Sequence, residues 1–211
     1  MLTRRHLNQA LVLGTASAAA GLSLPTLAAT YEEGKSYVRL PKPIPTSVQP
    51  GQIEVLEFFA YSCIHCFNLE PAFHAWIPKQ PKQVVVKRVP VQFSPAFEPM
   101  AKMYYSLEAL GWLEPLHQRF FNALHVDKQR LYEEAAIIAW VSEQKVDTAA
   151  FKKMFASFGV AGKAKQAAQL SNSFLIEGTP ALGINGQFTV PGQGEKTLAI
   201  ADSLIASLLK A

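Results

Sequence analysis

Cysteine is scarce: two residues in 211, which excludes a disulfide-stapled mini-protein. Charge is scarce too. Charged residues make up 17% of the chain, below the roughly 25% usual for soluble domains. The formal charge of +4 includes Arg4 and Arg5 in a segment expected to be removed, which leaves about +2. So small and dispersed an excess gives no case for nucleic acid as a partner. There is no long like-charge run, low-complexity tract or fixed-period repeat. No glycine-rich phosphate loop follows a strand pattern. What remains is a hydrophobic content of 49%, enough to bury an ordinary single-domain core.

The N-terminus places Arg4 and Arg5 before a mildly apolar stretch from Ala10 to about Leu24. Pro25 and the small residues Ala28 and Ala29 follow. This is the order of an export signal, expected over residues 1–28. The paired arginines resemble a twin-arginine signal, although ordinary secretory signals also carry arginines. A membrane anchor is the alternative, weakened by the Gly, Ser, Thr and Pro in the stretch. Export leads to an oxidising compartment, where a cysteine pair can form a disulfide.

Beyond the signal, Pro41, Pro43 and Pro45 alternate and keep that segment extended. Tyr37–Leu40 reads as an edge strand, and Gln52–Ala60 and Gln83–Val91 as strong strands. Between the strong strands, Cys63 to about Ile77 reads as a helix that Pro71 would kink. Phe97 to about Phe174 shows a helical apolar period, punctuated by Gly111, Pro115, Asp127, Asp147 and Gly159. Ala181–Ile184 and Gln187–Val190 flank the hairpin signal Asn185-Gly186, and Glu195–Lys210 closes as an amphipathic helix. The expectation is an α/β fold, a mixed sheet of about four strands covered by helices. Residues 29–96 and 175–211 would form the sheet part, and 97–174 a helical insertion.

Both cysteines lie in one motif, Cys63-Ile64-His65-Cys66, between a strand and a helix. At a helix N-terminus the free N–H groups and the positive dipole end favour a thiolate on Cys63. Cys66 shares its helix face and can pair with it, or attack a mixed disulfide on it. An imidazole on His65 can favour the charged form of Cys63 and make the disulfide a stronger oxidant. A zinc site would need a further ligand, and His117 and His125 are too far apart in sequence for a His-x3-5-His pair. A purely structural bridge would restrain little chain over so short a loop.

Glu57 falls on an apolar strand face with Ile53, Val55 and Phe59. It either modulates the cysteines' ionisation or is satisfied by a nearby lysine. Glu70, one turn past Cys66, either feeds the same electrostatics or lies on a solvated helix face. Pro180, after Thr179, enters a strand, which marks an edge or a cis bond. His74, His117 and His125 read as packing or surface residues, and Trp76, Trp112 and Trp140 as core.

Four segments carry a resemblance: YEEGKSYVRL, IEVLEFFAYSCIHCFNLEP, VPVQF and GTPALGINGQF. Together they resemble the DsbA family of periplasmic thiol:disulfide interchange proteins along essentially the whole mature chain. The resemblance implies a thioredoxin fold with an inserted helical domain, and a cis bond at Thr179-Pro180 facing the cysteines. It implies that Cys63 is the nucleophile, Cys66 its buried partner and His65 the stabiliser of the thiolate. Glu57 and Glu70 would be the acids near the site, and Thr179 would offer backbone groups to substrate. It further implies a monomer that oxidises unfolded exported proteins and is reoxidised by a quinone-linked membrane partner of the DsbB type. The disulfide itself is the redox group, so no cofactor or metal is expected. A lowered cysteine pKa and an oxidising potential are general properties of that family. One departure is Ile64, where the familiar motif carries proline; Ile adds a backbone donor at the helix start. A reductase or isomerase, or a peptide-binding thioredoxin fold, are the alternatives. The short stretch from Tyr31 to Gly51 leaves no room for the dimerisation region of a DsbC-type isomerase.

Overall fold

A computed structural model describes residues 31–210; the expected export signal lies outside these residues. Five strands are present: β1 (Val38–Arg39), β2 (Ile53–Phe59), β3 (Val84–Pro90), β4 (Ala181–Ile184) and β5 (Phe188–Pro191). They form one mixed sheet in the order β1-β5-β4-β2-β3. β2 pairs parallel with β3 and antiparallel with β4, which pairs antiparallel with β5. The edge strand β1 makes the sheet one strand larger than the four expected, pairing through Val38 and Arg39 with Thr189 and Phe188.

The parallel step from β2 to β3 needs a crossover, supplied by α1 (Ile64–Trp76). Pro71 lies inside α1 without ending it. Leu69, Phe73 and Trp76 bury that helix against Ile53 and Val55, with α7 (Lys196–Leu208) completing the layer through Ile200, Leu204 and Ile205. The helical stretch between β3 and β4 resolves into α2 (Glu98–Ala109), α3 (Leu113–His125), α4 (Glu134–Glu143), α5 (Thr148–Phe155) and α6 (Phe158–Ser173). Asp147 caps α5, accepting from the N–H groups of Ala149 and Ala150. These helices share one continuous core with Leu56 and Phe58. β2 is therefore buried along its whole length, as a strand covered on both sides must be. Phe59 departs from the face expected for it. It joins the helical-block core, edge-on to Tyr104 of α2 and beside Phe121 of α3.

The Asn185-Gly186 hairpin has positive φ at both residues, 49° and 64°, the backbone a two-residue turn of this kind requires. In β4, a Cβ on Gly183 would stand 2.5 Å from the Phe174 ring and 3.0 Å from that of Phe58. Gly183→Ala is therefore expected to cost about 1–3 kcal/mol through overpacking, measured as a lowered denaturant midpoint at unchanged slope.

Candidate active site

β2 ends at Phe59, and the chain turns through Tyr61 into Cys63, the N-cap residue of α1. Capping leaves Cys63 half-buried at the positive end of the helix while Cys66 is carried inward and almost wholly buried. Both are free thiols. The Cys63 thiol is pulled down to about 5, mainly by the hydrogen bond from Cys66. The Thr179 side chain and the backbone N–H groups of Cys66 and His65 add to this, against the opposing effect of burial. Cys66 moves the other way, pushed well up by its bond to Cys63 and by burial. The pair is thus split into an accessible, acidic sulfur and a hidden, basic one.

The opposite wall is the segment before β4. The Thr179-Pro180 bond is cis, and the Cys63 thiol donates to the Thr179 carbonyl oxygen at 3.3 Å. A groove beside the sulfur is lined by His65, Asn68, Leu69, Thr179, Pro180 and Gly192. His65 is exposed and lines the groove, and its backbone N–H serves the thiolate. Gly192 packs so close that a Cβ there would stand 2.5 Å from the Pro180 carbonyl oxygen. A larger cleft between β3, α2 and α6 contains Glu54, Lys87 and Glu108 but no sulfur.

A buried charged cluster joins β2, β3 and α1. The β2–β3 register sets Glu57 beside Arg88. Arg88 Nε donates to Glu57 Oε2 at 3.0 Å, and Arg88 Nη2 donates to Glu70 Oε1 at 2.6 Å. Glu57 and Glu70 are 1% and 3% exposed. Glu70 therefore is not on a solvated face: α1 turns it inward with Cys66, four residues earlier on the same side. The partner of Glu57 is an arginine rather than a lysine. Burial, then the neighbouring charge of Glu70, raises Glu57 to about 8 despite Arg88. His117 is not simple packing either. Its Nδ1 is 2.7 Å from the Tyr61 hydroxyl, and its Nε2 is 3.5 Å from Glu70 Oε2. His125 reaches the same loop, with Nε2 2.8 Å from the Tyr61 carbonyl oxygen. His74 is exposed, Trp76 and Trp140 are buried, and Trp112 is only partly so.

Residues 88–201 match the family model described as a DSBA-like thioredoxin domain. The chain belongs to this family. A thiol:disulfide interchange protein DsbA of Bordetella parapertussis is 40% identical over 174 residues, covering 81% of this chain and 82% of that protein. The DsbA of Azotobacter vinelandii is 33% identical over 207 residues, 96% of each chain. A crystal structure of a Pseudomonas aeruginosa DsbA variant superposes with a TM-score of 0.82 at 31% identity, covering 86% of this chain and all of that one. Membership of the DsbA family, with the Cys63–Cys66 pair in place, makes the chain a thiol:disulfide oxidoreductase with a thioredoxin-like fold.

The buried charged cluster gives a sharp test. Because Glu57 is raised in the folded state, its contribution to stability is full below the unfolded carboxyl pKa and is lost as pH rises through about 8. Removing Arg88 strips both acids of their cation. Arg88→Met is expected to cost about 3–5 kcal/mol at neutral pH. Stability should return as pH falls and the acids are neutralised, read from urea unfolding at several pH values.

Proposed function

We propose that this DsbA-family chain is a periplasmic dithiol oxidase that gives its Cys63–Cys66 disulfide to unfolded exported proteins. The observation that carries the reading is the split between the two sulfurs, Cys63 lowered to about 5 and half-exposed, Cys66 raised and buried. A thiolate on the substrate attacks Cys63 Sγ. The Cys63–Cys66 bond breaks, and Cys66 leaves with the electron pair and takes up a proton. A second substrate thiolate then attacks the substrate sulfur of the mixed disulfide, and Cys63 leaves as its stabilised thiolate. The substrate dithiol is oxidised by two electrons. The enzyme ends with one thiolate and one thiol, and one proton reaches solvent.

The other roles follow from position. His65 favours the Cys63 thiolate from the first turn of α1. The Thr179 carbonyl and the Pro180 face meet the incoming peptide across the groove. Glu57 and Glu70 tune the ionisation of the pair. Residues 97–174 act as a helical insertion in the thioredoxin part, and residues 1–28 as the signal that delivers the chain to the periplasm. Regeneration is assigned to a quinone-linked membrane partner of the DsbB type, and the working unit to the monomer. Among the described residues no helix is long and apolar enough to cross a membrane.

The equilibrium potential of Cys63–Cys66 against glutathione tests the direction of transfer. A value far above thioredoxin's roughly −270 mV is expected, and one near it would replace the oxidase with a reductase. In Cys66→Ala the resolving thiol is gone, so Cys63 should accumulate mixed disulfides with exported proteins, separable on non-reducing gels. A periplasmic extract that yields none would count against the mechanism.

A further inference from the structure

Among the described residues, His117 Nε2 is the one buried side-chain nitrogen or oxygen without a hydrogen-bond partner. Its residue is 5% exposed and belongs to α3, yet it faces the buried charged cluster. The groups around it come from five elements and its own helix. They are Tyr61 in the loop before α1, Glu70 on α1, Arg88 on β3, Glu57 on β2, Tyr104 on α2, and the exposed Glu114 on α3.

Only one arrangement of protons suits this geometry. A single proton lies between the Tyr61 hydroxyl and His117 Nδ1, 2.7 Å apart. If Nδ1 held it, the Tyr61 hydroxyl proton would lack its acceptor on Nδ1. In the neutral ring, the Nε2 lone pair would also point at the Glu70 carboxylate. If Tyr61 donates, Nδ1 is satisfied and the ring proton sits on Nε2, aimed at Glu70 Oε2. Burial opposes an imidazolium carrying both protons. Glu70 then has the Arg88 hydrogen bond at 2.6 Å and the His117 ring nitrogen at 3.5 Å, longer than a hydrogen bond, while Glu57 has Arg88 alone at 3.0 Å. Two carboxylates share one guanidinium, so the buried cluster holds one proton when it is neutral, and the acid with fewer donors is the better place for it.

We propose that His117 is a positioning residue for the cysteine chemistry: a neutral imidazole protonated on Nε2 and fixed by the Tyr61 hydroxyl, it orients the Glu70 carboxylate with Arg88 and leaves Glu57 as the acid that carries the exchangeable proton. Reduction of the disulfide takes two electrons and one proton, giving the Cys63 thiolate and the Cys66 thiol. Glu57 stands on the strand that leads to Cys63, and Glu70 shares a helix face with Cys66; these two elements are the route by which the cluster's proton state would reach that step. The link to catalysis rests on the oxidoreductase reading above; the proton arrangement itself does not, and the two can fail separately.

Nitrogen-15 spectra of the reduced protein, labelled at histidine, test the first half. The Nε2–H tautomer of His117 is expected, and an Nδ1–H tautomer or an imidazolium at neutral pH overturns the proposal. Carboxyl carbon-13 spectra labelled at glutamate test the second. In His117→Phe the midpoint of Glu57 should fall by roughly one pH unit, a tenfold change in proton affinity. The bend in the pH dependence of the Cys63–Cys66 potential should move with it. His117→Gln, which returns a donor near the Nε2 position, should restore both. Tyr61→Phe keeps the ring, removes the hydroxyl and should move them as His117→Phe does, which guards against a His117 variant that does not fold. A Glu57 midpoint that stays in place while stability falls would reduce His117 to packing and overturn the proposal.

Discussion

The Arg88 guanidinium joins three elements that would otherwise each bury a charge alone. Glu57 comes from β2, Glu70 from α1 and Arg88 from β3, the strand parallel to β2. Burying any one of them unpaired would cost several kcal/mol. The bidentate fork of arginine meets both carboxylates at once, which a lysine ammonium could match only as a point charge. The orientation of α1 over the sheet, and with it the inward turn of Cys66, is tied to this contact. The same contact leaves the local charge one unit negative if both acids ionise, so structure and proton chemistry share a single constraint.

The helical block does more than cover the sheet. α3 holds the residue two places before Cys63 twice, by His117 on the Tyr61 ring oxygen and by His125 near its backbone carbonyl. His125 also stacks on Phe67 of α1, with ring centroids 5.0 Å apart. The turn leading to Cys63 is thus held by two histidines of α3. A thiolate stabilised by directed N–H groups needs such preorganisation, because those groups are effective only at the right distance.

Much of this was legible in the chain. The strand periods, the Asn185-Gly186 turn and the Asp147 cap are local signals, and the structure places all of them close to where the pattern does. Cys63 and Cys66 were visible because their spacing is itself the geometry. Glu57 drew notice as an acid in an apolar strand. Arg88 could have been found in the same way: adjacent Lys87 and Arg88 in a β-branched strand must point to opposite faces, so one of them enters a covered side. Glu70 was named as a candidate, but its burial was not legible, and His117 was read only as a packing or surface residue. Each sits in an amphipathic helix where a polar residue ordinarily faces water, and their partners lie 18 and 47 residues away in sequence. The shift of Phe59 into the second core has a similar origin, since a helix folded over the end of a strand overrides strict alternation.

Gly192 carries a consequence of another kind. Its backbone lies against the Pro180 carbonyl with no room for a side chain, so the loop leaving β5 and the loop entering β4 keep their shapes only together. Both line the groove, and the second also faces the sulfur. A side chain at Gly192 would therefore push on the loop whose Thr179 carbonyl faces Cys63, and so reach the sulfur without touching either cysteine.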